Sequence, residues 1–198
     1  MKEKFLNNYF NIVTSNKDYS EEELEKMKYG VEGIYFTIEK LVIILLLSLV
    51  LGILKEVIIL LLFYNFLRYF GFGFHAKTST QCLIISTLLF CIIPFLLIKN
   101  IICFKYKFII TLICLFNFII FAPADTKKRP LINKKKRLIW KSLLIISTIL
   151  LYILSMFITK DISNLIILSI ISEMFMTNPL IYIITGQTYN NYKNYKKN

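Results

Sequence analysis

Long apolar blocks separated by short charged segments run the length of this chain, and their lengths predict helices that cross a membrane. A helix needs roughly 20 apolar residues to cross a hydrocarbon core about 30 Å thick. Six blocks reach or approach that length, at residues 34–54, 57–69, 81–98, 108–122, 142–158 and 162–184. Lys55 and Glu56 read as a tight turn between the first two, Pro123 as the stop of the fourth, and 124–141 as a cationic loop. Ahead of the first block, Leu6, Tyr9, Phe10 and Val13 recur at i, i+3, i+4 and i+7. That spacing predicts an amphipathic helix lying on the membrane surface. Ser20 with Glu23 three residues later has the pattern of a capping box. The reading is an all-α polytopic membrane protein of one domain over 1–198. An N-terminal amphipathic interfacial segment (1–30) precedes a core of six transmembrane helices (31–184), and a polar cytoplasmic tail (185–198) follows.

Composition supports this class. Hydrophobic residues make up 57% of the chain, too many for the polar remainder to cover a soluble core. The net charge of +12 does not point to nucleic acid, because the basic residues sit in short loops between apolar blocks. Those loops instead set orientation. With the amino terminus inside, most of the 24 basic residues fall on the cytoplasmic side, leaving Lys55, Lys99, Lys105, Lys107 and Lys160 outside. Both ends are then expected in the cytoplasm. Cys82, Cys91, Cys103 and Cys114 form no CxxC pair and have no accompanying histidines, so no metal site and no disulfide framework is expected. The mixed-charge N-terminus lacks the pattern of a signal peptide.

One stretch carries candidate chemistry. The only histidine, His75, precedes Cys82 by seven residues, with Gly71 and Gly73 just before it and Arg68 ending the second block. A thiol and a base are the parts of a cysteine nucleophile. On one continuous helix the two would lie about 10 Å apart along the axis, too far for proton transfer. The glycines offer a break in the helix, and Thr78 with Gln81 can start a new one. Cys82 would then sit in a first helical turn, where the dipole favours a thiolate and free N–H groups could hold an oxyanion. The plainer reading is an incidental interfacial His and Cys. Arg68 fits a snorkelling anchor or a cation facing the reaction centre. Glu173, inside the last block, must face protein or water, either to orient the site or as a structural contact. The cationic loop, with Lys127, Lys128 and Arg129 at its start, fits a topology signal, an attraction to anionic lipid, or a dock for an acidic peptide.

Arg68, Gly73, His75, Ala76 and Cys82, then the segment 122–130 (Ala-Pro-Ala-Asp-Thr-Lys-Lys-Arg-Pro), then Glu173 and Pro179 occur in this order. In these residues the chain resembles the accessory gene regulator B (AgrB) family of membrane cysteine endopeptidases that mature bacterial quorum-sensing propeptides. Phe72 stands where the first glycine of the family's pair is usual. The resemblance implies a Cys82 nucleophile with His75 as its base, and Arg68, Gly73 and Glu173 in support. It further implies an AgrD-like propeptide as substrate, an acyl-thioester intermediate and closure of a thiolactone or lactone ring. It is compatible with a homodimer in the lipid bilayer, and implies no cofactor. Nothing resembles a nucleotide-binding loop, so removal of the released tail, rather than ATP, is expected to draw the reaction forward. The rival reading is a non-enzymatic small transporter or scaffold that uses Arg68 and Glu173 as intramembrane charges.

Overall fold

The computed structural model describes residues 20–74, 76, 78–99, 105–126 and 131–193. His75, Cys103, Lys127, Lys128, Arg129 and the predicted interfacial helix around Leu6–Val13 lie outside the described residues. The described residues are helical apart from connecting segments and isolated bridges. The chain divides into two compact units, Met1–Leu47 and Ser48–Asn198.

The first helix, α1, runs over Glu21–Val50. It opens on the expected capping box: Glu23 N–H donates to Ser20 Oγ (3.3 Å), and Ser20 N–H donates back to the Glu23 carboxylate (3.0 Å). The helix passes through residue 30 unbroken, so the described part of the predicted interfacial segment is the first turns of α1.

In the second unit the chain turns at Gly52, not at Lys55 and Glu56. Gly52 takes φ +70, its N–H donates to Leu49 O (3.1 Å), and Ile53 N–H reaches Ser48 O (2.9 Å). This paired closure needs a left-handed residue just past the helix, which glycine adopts without steric cost. Lys55 and Glu56 instead lie in the first turn of α2 (Leu54–Gly71).

After a break come α3 (Ser79–Thr87), a π-helical turn (Leu88–Ile92) and α4 (Ile93–Ile98). Pro94 explains the π turn. It offers no N–H, and its ring would strike the carbonyl four residues back; the wider turn, in which Ile93 N–H bonds Leu88 O, absorbs that misfit. The fifth helix, α5, covers Lys107–Phe121 and ends, as expected, just before Pro123.

Two predicted boundaries move. The cationic loop is helical in its second half: α6 spans Lys134–Met156 because Asn133 caps it, accepting from Lys135 N (3.0 Å) and Lys136 N (3.2 Å). The last predicted span is two helices, α7 (Lys160–Thr177) and α8 (Pro179–Ile184). Pro179 pushes Asn178 into an extended conformation (ψ 136), and Asn178 then caps α8 through Leu180 N (2.9 Å).

Among the described residues, three helical stretches are long and apolar enough to cross a membrane: Gly30–Val50, Thr80–Ile98 and Lys134–Met156; Lys107–Phe121 is a shorter apolar helix. The helices α2 and α7 carry Arg68 and Glu173. The second of these, α7, is buried on most of its surface and packs against α2, α5 and α6. Its buried Ser163, Ser169 and Ser172 allow close approach of backbones. Such approach matters in lipid, where apolar burial supplies little drive and packing supplies more. Leu67, Phe118, Leu144, Ile166, Ile167 and Ile170 form the centre of this core.

Candidate active site

The site forms where α2 ends. Phe72 N–H still bonds Arg68 O (3.0 Å), but Phe72 takes φ 60, ψ −103 and Gly73 φ +88, so the chain leaves the helix sharply. The strand-like piece that follows is held on two sides. Gly73 N–H donates to Ala124 O (2.8 Å) and Ala124 N–H donates to Gly71 O (3.1 Å), joining residues 71–73 to the segment after α5. Phe74 N–H donates to Met176 O (2.7 Å), joining the same piece to the last turn of α7. The three segments that the sequence singles out around Arg68, Ala122–Asp125 and Glu173 therefore meet at one junction.

Two side chains fill that junction. Arg68 Nη1 stands 3.7 Å from Glu173 Oε2, with the carboxylate fully buried. Arg68 Nη2 donates to the carbonyl of Phe74, the residue before His75. Both glycines are needed for this pair to fit. A Cβ on Gly71 would overlap Glu173 Oε1 and lie 3.0 Å from its Cδ; one on Gly73 would overlap Arg68 Nη1 and lie 2.6 Å from Met176 O. Breaking one partner of a buried pair costs about 3–5 kcal/mol, so the pair locks α2 to α7 and the loop to both.

Cys82 sits where the capping argument puts it. Thr78 is extended (φ −118, ψ 151), its Oγ accepts from Gln81 N–H (3.2 Å), and Cys82 N–H makes the first helical bond to Thr78 O (3.2 Å). The expected helix break falls between Gly71 and Ser79. Cys82 is half-buried, whereas Cys91 and Cys114 are buried; it lies within electrostatic reach of Arg68 and Tyr64. Arg68, Gly73 and Glu173 are thus brought together and Cys82 is placed in a first turn.

Sequence reasoning passed over Asp125. This carboxylate is buried (2% exposed) and accepts three backbone N–H groups: Asn191 at Oδ1 (2.9 Å), and Tyr192 (2.8 Å) and Leu131 (3.3 Å) at Oδ2. Arg137 stands 3.9 Å from Oδ2 and stacks over the Tyr192 ring at 3.5 Å. The buried Tyr182 hydroxyl donates to Asp125 O (3.3 Å), and the Phe74 ring meets the Tyr182 ring edge to face. Tyr189 donates to Phe121 O (2.7 Å); burial pushes its phenol up to about 12, so the donor proton stays in place. The part of the tail over residues 188–193 is therefore folded onto the site rather than being a solvated extension. The signal available in sequence was one acid in an otherwise cationic loop, two residues after a helix-stopping proline.

Comparison with known proteins places the chain in a family. The family model for accessory gene regulator B matches residues 6–177. A putative AgrB-like protein of Clostridium acetobutylicum is 36% identical over 179 residues, covering 88% of this chain and 84% of the relative. One of Listeria monocytogenes is 33% identical over 178 residues, covering 89% and 87%. The accessory gene regulator protein B of Staphylococcus aureus is 32% identical over 158 residues, covering 79% and 83%. No solved structure matches the chain. With a family match over most of its length and relatives alike across it, the chain belongs to the accessory gene regulator B family.

Proposed function

We propose that this chain is the membrane cysteine endopeptidase that processes a quorum-sensing propeptide, with Cys82 as nucleophile and His75 as general base. Membership of the accessory gene regulator B family supports the quorum-sensing role, and helices long and apolar enough to cross a membrane support the location. The observation that carries this reading is the break between Gly71 and Ser79, after which the Thr78 cap starts a new helix with Cys82 in its first turn. A continuous helix would have kept base and thiol about 10 Å apart.

In the proposed reaction His75 takes the proton of the Cys82 thiol. The thiolate attacks a carbonyl in an AgrD-like propeptide, the N–H groups at the start of α3 stabilise the oxyanion, and the C–N bond breaks. His75 returns its proton to the leaving amine of the acidic C-terminal tail. A Cys or Ser within the acyl-linked peptide then attacks the thioester, releasing Cys82 and closing a thiolactone or lactone. Exchange of one thioester for another is nearly even in energy, so water must be kept from the intermediate, and a site beside lipid favours that. Arg68, Gly73 and Glu173 support by fixing the Phe74 carbonyl immediately ahead of His75. Lys127, Lys128 and Arg129 hold the acidic tail. Six spans, both termini in the cytoplasm and a cytoplasmic site complete the proposal.

Cys82→Ala tests it, with membranes that contain the full-length protein and its propeptide, and mass spectrometry of the products. Tail release should be abolished with expression and insertion intact, while Cys91→Ala and Cys114→Ala keep most activity. His75→Ala should also abolish release, and should slow alkylation of Cys82 by iodoacetamide near neutral pH. Release of the tail by the Cys82→Ala protein removes the assignment.

A further inference from the structure

The tail segment folded onto Asp125 lies beyond the residues matched by the family model, which end at 177, and nothing in the proposed chemistry requires it. Its attachment is nonetheless specific. Three backbone N–H groups converge on one buried carboxylate, and two of them, from Asn191 and Tyr192, belong to the tail. A carboxylate can accept all three because both oxygens are acceptors. An amide in its place has one acceptor and one donor group, so at least one N–H would face another donor.

Asp125 is also one bond from the junction. Its neighbour Ala124 makes both hydrogen bonds to the loop, accepting from Gly73 N–H and donating to Gly71 O. Its own carbonyl accepts from the Tyr182 hydroxyl, and the Tyr182 ring meets Phe74. Any displacement of Asp125 therefore reaches residues 71–74 by two routes, through Ala124 and through Tyr182. Arg137 adds a third tie by pairing with the carboxylate and stacking on Tyr192, so that α6, the tail and the segment after α5 are fastened at one point.

We infer that Asp125 is a positioning residue: by docking residues 188–193 it holds Ala124 against the loop at 71–74, and the docked tail thereby sets the geometry of the loop that leads into His75. The inference rests on the proposed endopeptidase for its effect on rate, but its structural part stands apart from that reading.

The test compares Asp125→Asn, Asn191→Pro and the double variant in the full-length protein. Asn191→Pro removes one N–H from the carboxylate at a half-buried position, together with the Asn191 side-chain bonds to Asp125 O and Thr188 O, so it undocks the tail without altering the buried acid. Amide exchange over residues 71–74 should quicken by about tenfold or more in both single variants, while exchange within α7 stays as in the parent. For the propeptide, kcat should fall about tenfold or more with KM within about twofold, since positioning acts on the reacting geometry and leaves ground-state binding alone. The double variant should be no worse than the worse single, because both changes release the same tie. Unchanged exchange over 71–74 overturns the inference whatever the activity. Faster exchange with unchanged kcat, losses that multiply in the double variant, or a change in KM alone overturns the positioning role. Tail release by Cys82→Ala would remove the endopeptidase reading instead, and the exchange measurement would still decide whether Asp125 and the tail hold the loop.

Discussion

Gly73→Ala is the substitution for which the structure gives the largest return from a single methyl group. Gly73 has φ +88, a conformation that costs a residue with a Cβ roughly 1–2 kcal/mol. The added carbon would also lie 2.6 Å from Met176 O and 2.9 Å from Met176 C, and would overlap Arg68 Nη1. Arg68 has little freedom to retreat, because it is tied to the Phe74 carbonyl and to buried Glu173. The Met176 carbonyl has less, because it accepts the Phe74 N–H at 2.7 Å. Overpacking of this kind costs about 1–3 kcal/mol. Together with the backbone cost the loss comes to about 2–5 kcal/mol, or about 4–20 °C in Tm at the 2–4 °C per kcal/mol usual for this chain length. The single tryptophan reports on the place directly, since the Trp140 ring meets the Phe72 ring at 5.4 Å. Thermal melts of the detergent-solubilised protein followed by Trp140 emission should show the drop, and propeptide cleavage should fall with it. Gly30→Ala is the control: nothing lies within 4 Å of its added carbon, and within α1 alanine is favoured over glycine by about 1 kcal/mol. A Gly73→Ala protein that melts within about 2 °C of the parent, with unchanged emission, would refute both the steric and the backbone argument.

The other expectations concern the same junction and the loop beside it. Phe72→Gly relieves φ 60 but removes a ring packed edge-on against Trp140; the two effects are each about 1 kcal/mol and opposed, so Tm should move little while Trp140 emission shifts, and a large loss of stability would show that the ring contact dominates. Arg68→Gln and Glu173→Gln should each be strongly destabilising, about 3–5 kcal/mol, and the double variant should melt well above the level expected from their sum; additive losses would show that the two are not coupled. Replacing Lys127, Lys128 and Arg129 with Gln should leave orientation unchanged, because Lys134, Lys135, Lys136, Arg137 and Lys141 keep the positive bias. Cleavage should fall and become less sensitive to salt; unaltered rate and salt dependence, with orientation retained, would reduce these residues to a topology signal.

Features governed by neighbours along the chain were readable from the sequence. The capping box at Ser20 and Glu23, the cap at Thr78, the break before it and the stop ahead of Pro123 each depend on side chains within about one helical turn. Where local signals competed, the reading chose the wrong one. Lys55 and Glu56 look polar enough to turn a chain, yet polarity does not supply a left-handed residue and Gly52 does. The lysines after Asn133 look like a loop, yet lysine is a good helix former and Asn133 satisfies the first free N–H groups. An unbroken apolar run hid the interruption at Asn178 and Pro179, because hydropathy is blind to the missing N–H that ends α7.

The site divides along the same physical line. Arg68 and Glu173 were conspicuous because a charge inside an apolar helix needs a reason, but their pairing joins helices far apart in the sequence and leaves no local trace. The glycines show the limit more sharply. Read locally, Gly71 and Gly73 promise a flexible loop. In the fold Gly71 is the last residue of a helix and bends nothing; it is small because the Glu173 carboxylate occupies the space of its Cβ. Gly73 does take a left-handed conformation, but the Arg68 guanidinium and the Met176 carbonyl also exclude a side chain there. Phe72, in the position between them, carries a positive φ with a bulky ring, and it can do so because that ring has Trp140 to pack against. The loop ahead of His75 is thus a clamped segment whose small residues make room for a buried ion pair, so rigidity rather than flexibility is the property that a dyad built on it would use.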